Sequence, residues 1–291
     1  MLPQSPNDIE VVLYHASCTD GFGAAWAAWE RLGDRAVYIP MAYHDPLPEI
    51  VRGKNVAVVD FHCEKQDQHA ELLHLARSVI ILDHHSSAQK KLHADPHAVF
   101  DMNKSGAVLA WEYFHPGKPL PVLLSYVQDV DLHAKKIANS SAFVVALYET
   151  IPMDFQAWHQ IHVEMAHREW ELISRGRAIQ SLMSNLVDQA VQGAVLITFE
   201  GVRMWCVNHT SRFYSSVGNA LCERIVEGEE TPVGVGMVWW WDASKRRFKV
   251  SLRSKSLVIN HIASKYGGGG HDFAASFYLE DITSFFARGS C

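Results

Sequence analysis

At 291 residues, with 48% hydrophobic and 20% charged residues, the chain has the balance of a globular protein and length enough for two domains of ordinary size. A net charge of −6 disfavours tight electrostatic binding to long duplexes and to acidic membranes, and leaves room for a short phosphate-bearing substrate held in one local cleft. The five cysteines, Cys18, Cys63, Cys206, Cys222 and Cys291, show no CxxC spacing, which argues against a disulfide framework and a structural zinc site and for reduced thiols in a cytoplasm. The start, Met1 to Glu10, is polar with two prolines, and no apolar run approaches the roughly 18 residues of a spanning helix, so a soluble, untargeted protein is expected.

In chain order, Val11 to His15 is a short apolar strand, and Gly21-Phe22-Gly23 opens into the strong helix formers Ala24 to Trp29. Asn55 to Val59 is a second strand, ending at Asp60, and Ser78 to Leu82 a third, ending at Asp83, with helical periodicity from Gln66 to Ala76 between them. Continuous β-branched runs separated by helices predict a parallel sheet covered on both faces. Asp20, Asp60 and Asp83 fall at the carboxyl ends of strands, where open α/β sheets place their ligands, and Asp129 and Asp131 close this half. Phe155 to Val191 has no proline and reads as one or two connecting helices. From Ala194 the texture changes to strands at 194–199, 204–208, 233–241 and 248–252, with helices at 215–225 and 257–265. The predicted fold is α/β: a catalytic parallel-sheet domain over 1–150, a helical linker over 151–192, and a smaller α/β domain with a mixed sheet over 193–291.

Strand-end carboxylates beside His84 and His85 need a reason, since unpaired buried charge is costly. Shared divalent metals supply one. Oxygen and imidazole ligands without thiolate pairs suit manganese or magnesium, with cobalt as a substitute, and two ions roughly 3.5–4 Å apart can clamp a phosphoryl group.

Asp60, the triplet Asp83-His84-His85 and the segment Asp129-Val130-Asp131-Leu132 resemble the second, third and fourth motifs of the DHH phosphoesterases. Ser251-Leu252-Arg253-Ser254, followed by Gly267-Gly268-Gly269-Gly270-His271 and Ala274-Ala275, is similar to their DHH-associated C-terminal domain. The resemblance spans most of the chain. It implies that Asp60 bridges two manganese ions, that Asp20, His84 and Asp129 complete one site, and that His85, with Asp83, serves the reacting phosphate as an acid or charge stabiliser. Between Asp129 and Asp131 the ligand is expected to be Asp129, the other acting as a cap or an outer partner.

The first motif, His15-Ala16-Ser17-Cys18-Thr19-Asp20-Gly21, departs from the family pattern: Cys18 stands where the family has an earlier carboxylate, and His15 is displaced by a residue from a common spacing. His15 and Cys18 are kept as candidate ligands, Cys18 as a softer one. In the C-terminal domain the resemblance implies that Arg253, Ser254, Gly268, Gly269, Gly270 and His271 hold substrate, with Asn208, Ser215 and Ser216 as weaker candidates. Trp239-Trp240-Trp241 could stack bases, although strand alternation sends some of them into a core.

Within the family, the glycine-histidine tail argues against the pyrophosphatases, and the length leaves no room for the extra nucleic-acid-binding domains of processive exonucleases. The expected activity is hydrolysis of dinucleotides or very short oligonucleotides, such as pGpG or nanoRNA, to mononucleotides. Alternatives are a cyclic-dinucleotide phosphodiesterase, a side activity on 3′-phosphoadenosine phosphate, and a non-catalytic nucleotide-binding module. Long duplexes and membranes are not expected partners, and a homodimer is compatible with the sequence.

Overall fold

The computed structural model describes residues 5–43, 45–63, 66–209, 212–228 and 230–283, so Cys291 lies outside the described residues. The chain forms two compact units, residues 1–180 and 181–291.

The first unit is built on five strands: β1 (Val11–His15), β2 (Val37–Met41), β3 (Asn55–Val59), β4 (Ser78–Asp83) and β5 (Ala98–Phe100). All pairings are parallel, in the order β2-β1-β3-β4-β5. Alternate side chains leave opposite faces. Val12, Ala57, Val59, Ile80 and Leu82 enter one core, while Val11, Leu13, Val56, Val58, Val79 and Ile81 enter another. That two-sided burial is why the strands read as unbroken apolar runs.

The helices are α1 (Thr19–Leu32), α2 (Gln66–Leu75), α3 (Ser86–Leu92), α4 (Gly106–Phe114), α5 (Val122–Asp131), α6 (Ser140–Thr150) and α7 (Phe155–Val163), followed by α8 (Met165–Gln192). Residues 155–180, read from the sequence as connecting helices, fold with the first unit: Trp158, Ile161, Leu172 and Ile173 are buried in its larger core. The boundary falls inside α8. From β1 the chain crosses to β2 on one side and later returns to β3 on the other, so the carboxyl ends of β1 and β3 form a topological switch point.

The second unit is a six-stranded mixed sheet, β10-β11-β9-β8-β7-β6, from β6 (Val195–Phe199), β7 (Val202–Asn208), β8 (Val235–Asp242), β9 (Arg247–Ser254), β10 (Gly269–His271) and β11 (Ala274–Leu279). Among the described residues only β7 and β8 of this sheet pair in parallel, with α9 (Tyr214–Cys222) between them in sequence. One face packs Val217 and Leu221 of α9 against Trp205, Val207 and Val238. The other buries Met237, Val250, Leu252 and Phe277 with Ile262 and Ala263 of α10 (Asn260–Lys265). No helix among the described residues is long and apolar enough to cross a membrane.

Candidate functional site

Residues from five segments converge at the carboxyl edge of the parallel sheet. His15 ends β1, Asp20 sits in the first turn of α1, Asp60 follows β3, Asp83 ends β4 with His84 and His85 next, and Asp131 ends α5. Asp60 adopts φ +52°, a left-handed backbone unfavourable for a residue with a side chain, which is the kind of strain that functional sites hold.

Two glycines make the convergence sterically feasible. A Cβ on Gly106 would lie 2.4 Å from Asp60 Cβ, and one on Gly21 would lie 2.3 Å from the His15 carbonyl oxygen. Asp20 is anchored by the first turn of α4, its carboxylate accepting from the backbone N–H of Gly106 at 2.6 Å and of Ala107 at 3.1 Å. Negative charge at a helix N-terminus is favoured by the unpaired N–H groups there.

His84 is the hub. Its Nε2 lies 3.2 Å from Asp60 Oδ1, 3.4 Å from Asp131 Oδ2 and 3.6 Å from Asp20 Oδ2. His15 Nδ1 approaches Asp60 Oδ2 at 3.5 Å. Three sets of side chains bring their donor atoms within 4.8 Å of one another: His15, Cys18 and Asp60; Asp60, His84 and His85; and Asp20, His84 and Asp131. Asp60 and His84 are each shared by two sets.

The electrostatics mark a site built for cations. Asp20 is pushed well above the ordinary carboxylate range, first by burial and then by the charges of Asp60 and Asp131. Burial likewise raises Asp131. Burial acts against the Asp60 anion too, but the close imidazoles of His15 and His84 and the charge of His85 hold its carboxyl below the ordinary range. For His84 burial opposes the charged ring, yet the close carboxylates of Asp60, Asp20 and Asp131 win and push it up to about 9. Both Asp60 oxygens, His84 Nε2, His15 Nδ1 and Asp131 Oδ2 are buried without a hydrogen-bond partner of good geometry. Orphaned donor atoms at these positions fit divalent metals with oxygen and nitrogen ligands.

Cys18, at the N-cap of α1, makes no capping bond, and its thiol is pushed up to about 12 by burial and by the Asp60 charge. It would ligate as thiolate only beside a cation strong enough to reverse that field.

Asp83 is fully buried and organises rather than faces the cluster. Its Oδ1 accepts from the His84 N–H at 2.7 Å and the His85 N–H at 3.2 Å, and pairs with His85 Nδ1 at 2.6 Å, which raises the His85 pKa. Its Oδ2 meets His62 Nδ1 at 3.2 Å. His62 and Gly106 are site residues that sequence reasoning missed. His62 lies two positions past Asp60 and is legible only once β3 and β4 are side by side. Gly106 had a local signal, the Ser105 cap before an apolar helix.

The expectation for Asp129 is corrected. Its carboxylate accepts from the N–H groups of Lys136 and Ile137 at 2.7 and 3.2 Å and from Ser140 Oγ at 2.6 Å, so it ties the α5–α6 loop and points away from the cluster. Asp131, two residues on, is the carboxylate beside His84.

In the second unit, Arg253 donates to Ser215 Oγ at 2.6 Å, Ser251 Oγ at 3.0 Å and the Leu252 carbonyl at 2.8 Å. A cavity of about 230 Å³ brings Arg253 together with Tyr214, Gly269, Gly270 and His271. The glycines do not form a free loop. Gly269 to His271 are strand β10, and a Cβ on Gly268 would lie 2.2 Å from the Ser276 carbonyl oxygen. Ser254 is turned elsewhere, its Oγ accepting from Leu257 N–H at 2.9 Å. Asn208 donates to the Trp239 carbonyl at 2.9 Å, and neither Asn208 nor Ser216 lines the cavity.

Among solved structures, the chain is similar to a pGpG-specific phosphodiesterase from Vibrio cholerae (13% identity, 93% of each chain covered, TM-score 0.53). It is also similar to the exonuclease RecJ bound to manganese (15% identity, 97% of this chain and 89% of that one, TM-score 0.53). A third likeness is to the DHH domain of a member of a ribosomal-protein family (13% identity, 94% and 84% covered, TM-score 0.54). The chain therefore shares its fold, a parallel-sheet unit followed by a mixed-sheet unit, with these structures. The residues that resemble the DHH motifs lie on this shared fold, and no family model matches the chain. In sequence, the chain is 28% identical over 95% of its length to an uncharacterized protein of Acanthamoeba polyphaga mimivirus, of which it spans 69%. A 35-residue stretch, 11% of the relative's length, is 51% identical to an uncharacterized protein of Mycoplasma pneumoniae.

Proposed function

We propose that the chain is a metal-dependent phosphodiesterase that hydrolyses dinucleotides and very short oligonucleotides to mononucleotides. The observation that carries this reading is the donor cluster, in which Asp60 and His84 are shared between adjoining ligand sets on one sheet edge. Two divalent ions held there, manganese by preference, would neutralise a phosphodiester and activate water against it. His15, Cys18, Asp20, Asp60, His84 and Asp131 are the proposed ligands.

The protein's own part is positional. The first turn of α4 fixes Asp20, and the Asp83 carboxylate fixes the His85 ring through Nδ1, leaving Nε2 to donate a proton to the leaving oxygen. Asp83 is thus a positioning residue, since it is fully buried. In the second unit Arg253 and His271 supply the donors for a terminal phosphate. The acidic net charge and the small cavity support short substrates over long strands.

The test is a panel of linear dinucleotides including pGpG, cyclic dinucleotides and longer RNA, incubated with manganese and resolved by product length. Linear dinucleotides should yield mononucleotides. Asp60→Ala, His84→Ala and Asp131→Ala should each lose more than the roughly 10–100-fold that outer partners of a metal cost. Asp129→Ala should keep kcat but melt earlier, having lost three hydrogen bonds. Preference for chains longer than about five nucleotides, whose binding draws on many phosphate contacts, would overturn the substrate reading. Binding of dinucleotides without turnover would overturn the enzyme reading.

A further inference from the structure

The run Trp239-Trp240-Trp241 plays no part in the cluster or the cavity, and the register of the second sheet divides it. Neighbouring side chains on β8 leave opposite faces. Trp239 packs beside the core that α10 covers, and Trp241 shares its face, with its ring 5.0 Å from Phe248. Trp240 alone turns to the face that carries α9, where its ring lies 5.2 Å from Tyr214. Its partner on β9 is Lys249, whose partner on β11 is Tyr278, so the three form one cross-strand row.

This row is only half-buried. Helix α9 covers Val238 and its neighbours through Val217 and Leu221 and leaves Trp240, Lys249 and Tyr278 partly open. Lys249 Nζ sits 4.2 Å above the Tyr278 ring, and the charge of Asp242 acts on it without a direct ion pair among the described residues. Two positions along β9 the same face presents Ser251, and two further on Arg253, with its guanidinium 5.3 Å from the Tyr214 ring. The row therefore runs into the Arg253–His271 cavity, which Tyr214 and Ser251 also line. The row keeps its aromatic rings partly open beside a lysine, and Asp242, whose Oδ2 accepts from the Tyr278 O–H at 3.0 Å, stands at its edge. Ring faces interleaved with cations suit a base on the ring and a phosphate beside the cation.

We propose that Trp240, Lys249 and Tyr278, continuous with Tyr214 and Arg253, form a stacking platform for a nucleobase of a short single-stranded oligonucleotide. The proposal rests on the reading of the chain as acting on nucleotide phosphodiesters and adds the residues that hold the second nucleoside. Lys249 and Arg253 are four residues apart on one strand, roughly 13 Å at about 3.3 Å per residue, which is farther than a single phosphate reaches.

Titration calorimetry of the full chain with unlabelled pGpG in EDTA, where nothing is hydrolysed, tests the platform directly. Trp240→Ala should bind about tenfold more weakly, within the range that loss of one base–aromatic stack produces. Trp240→Phe should stay within about twofold of the parent, because a ring face is retained. Trp241→Ala, from the same run but the opposite face, should bind as the parent does. Equal binding by Trp240→Ala and parent, equal weakening by Trp241→Ala, or no binding by the parent would overturn the platform. If the expected pattern appears but no dinucleotide is cleaved with manganese, the phosphodiesterase reading fails and the platform stands. If dinucleotides are cleaved with unchanged KM in Trp240→Ala, the platform fails alone.

Discussion

His84 has three carboxylates within 3.6 Å of one nitrogen, and what that nitrogen carries depends on pH. In the metal-free chain its pKa is raised to about 9, so near neutrality a proton sits on the ring among Asp20, Asp60 and Asp131. A raised pKa contributes stability that is fully present below the ordinary histidine value and is lost as pH climbs through about 9. A divalent ion needs the neutral ring, so binding must expel that proton. Apparent manganese affinity should therefore rise by about tenfold per pH unit from neutrality toward pH 9 and then level off. Competition against a chelating dye at several pH values reads this directly. A flat profile would remove His84 from the ligand set. At the same scale, Asp129 and Asp131 show what a sequence leaves open. On a helix, residues two apart differ by about 200° around the axis, so only one can face the cluster. Which one does so depends on how α5 is rotated, and no local signal reports that.

Among the elements, α8 joins the first unit through its glycine. A Cβ on Gly176 would lie 1.8 Å from the Ala142 carbonyl oxygen, so α6 and α8 cross in backbone contact there. Gly176→Ala must push the helices apart and should cost about 1–3 kcal/mol, lowering the melting temperature by several degrees for a unit of this size. Gly193→Ala, whose Cβ would meet only the Ala190 carbonyl oxygen at 3.6 Å, should leave the melting temperature nearly unchanged. Differential scanning calorimetry of the two variants separates the close crossing from a general effect of replacing glycine; equal melting would refute it. The strands β1, β3 and β4 were legible because both their faces are buried, which produces unbroken apolar runs ending in Asp60 and Asp83. The edges were not. Strand β2 carries Pro40, tolerable because β2 pairs on one side only, and β5 has just three residues. Gly269-Gly270-His271 gives no strand signal in the sequence because glycine has weak strand preference; pairing with β11 overrides that.

At the scale of the molecule, the net charge of −6 hides an asymmetry. Residues 1–180 hold 15 Lys and Arg against 22 Asp and Glu, a balance of −7, while residues 181–291 hold 11 against 10, a balance of +1. The acidic excess thus lies with the unit that carries the cation cluster, and the unit carrying Arg253, Lys249 and His271 is close to neutral. The net charge alone does not report this: the second unit has cations to offer, but few of them. Counterion release makes this quantitative, because single strands lose affinity with a logarithmic salt slope of about 0.7 per neutralised phosphate. A substrate gripped through one or two phosphates should show KM rising less than about tenfold between roughly 50 and 200 mM salt, whereas a long strand gripped along its backbone would lose orders of magnitude. Measuring KM for pGpG and for a longer single-stranded RNA across that range decides between the two. A steep slope for the longer chain, with tighter binding at low salt, would mean that the near-neutral unit offers a track and not a single cavity, and the short-substrate reading would give way.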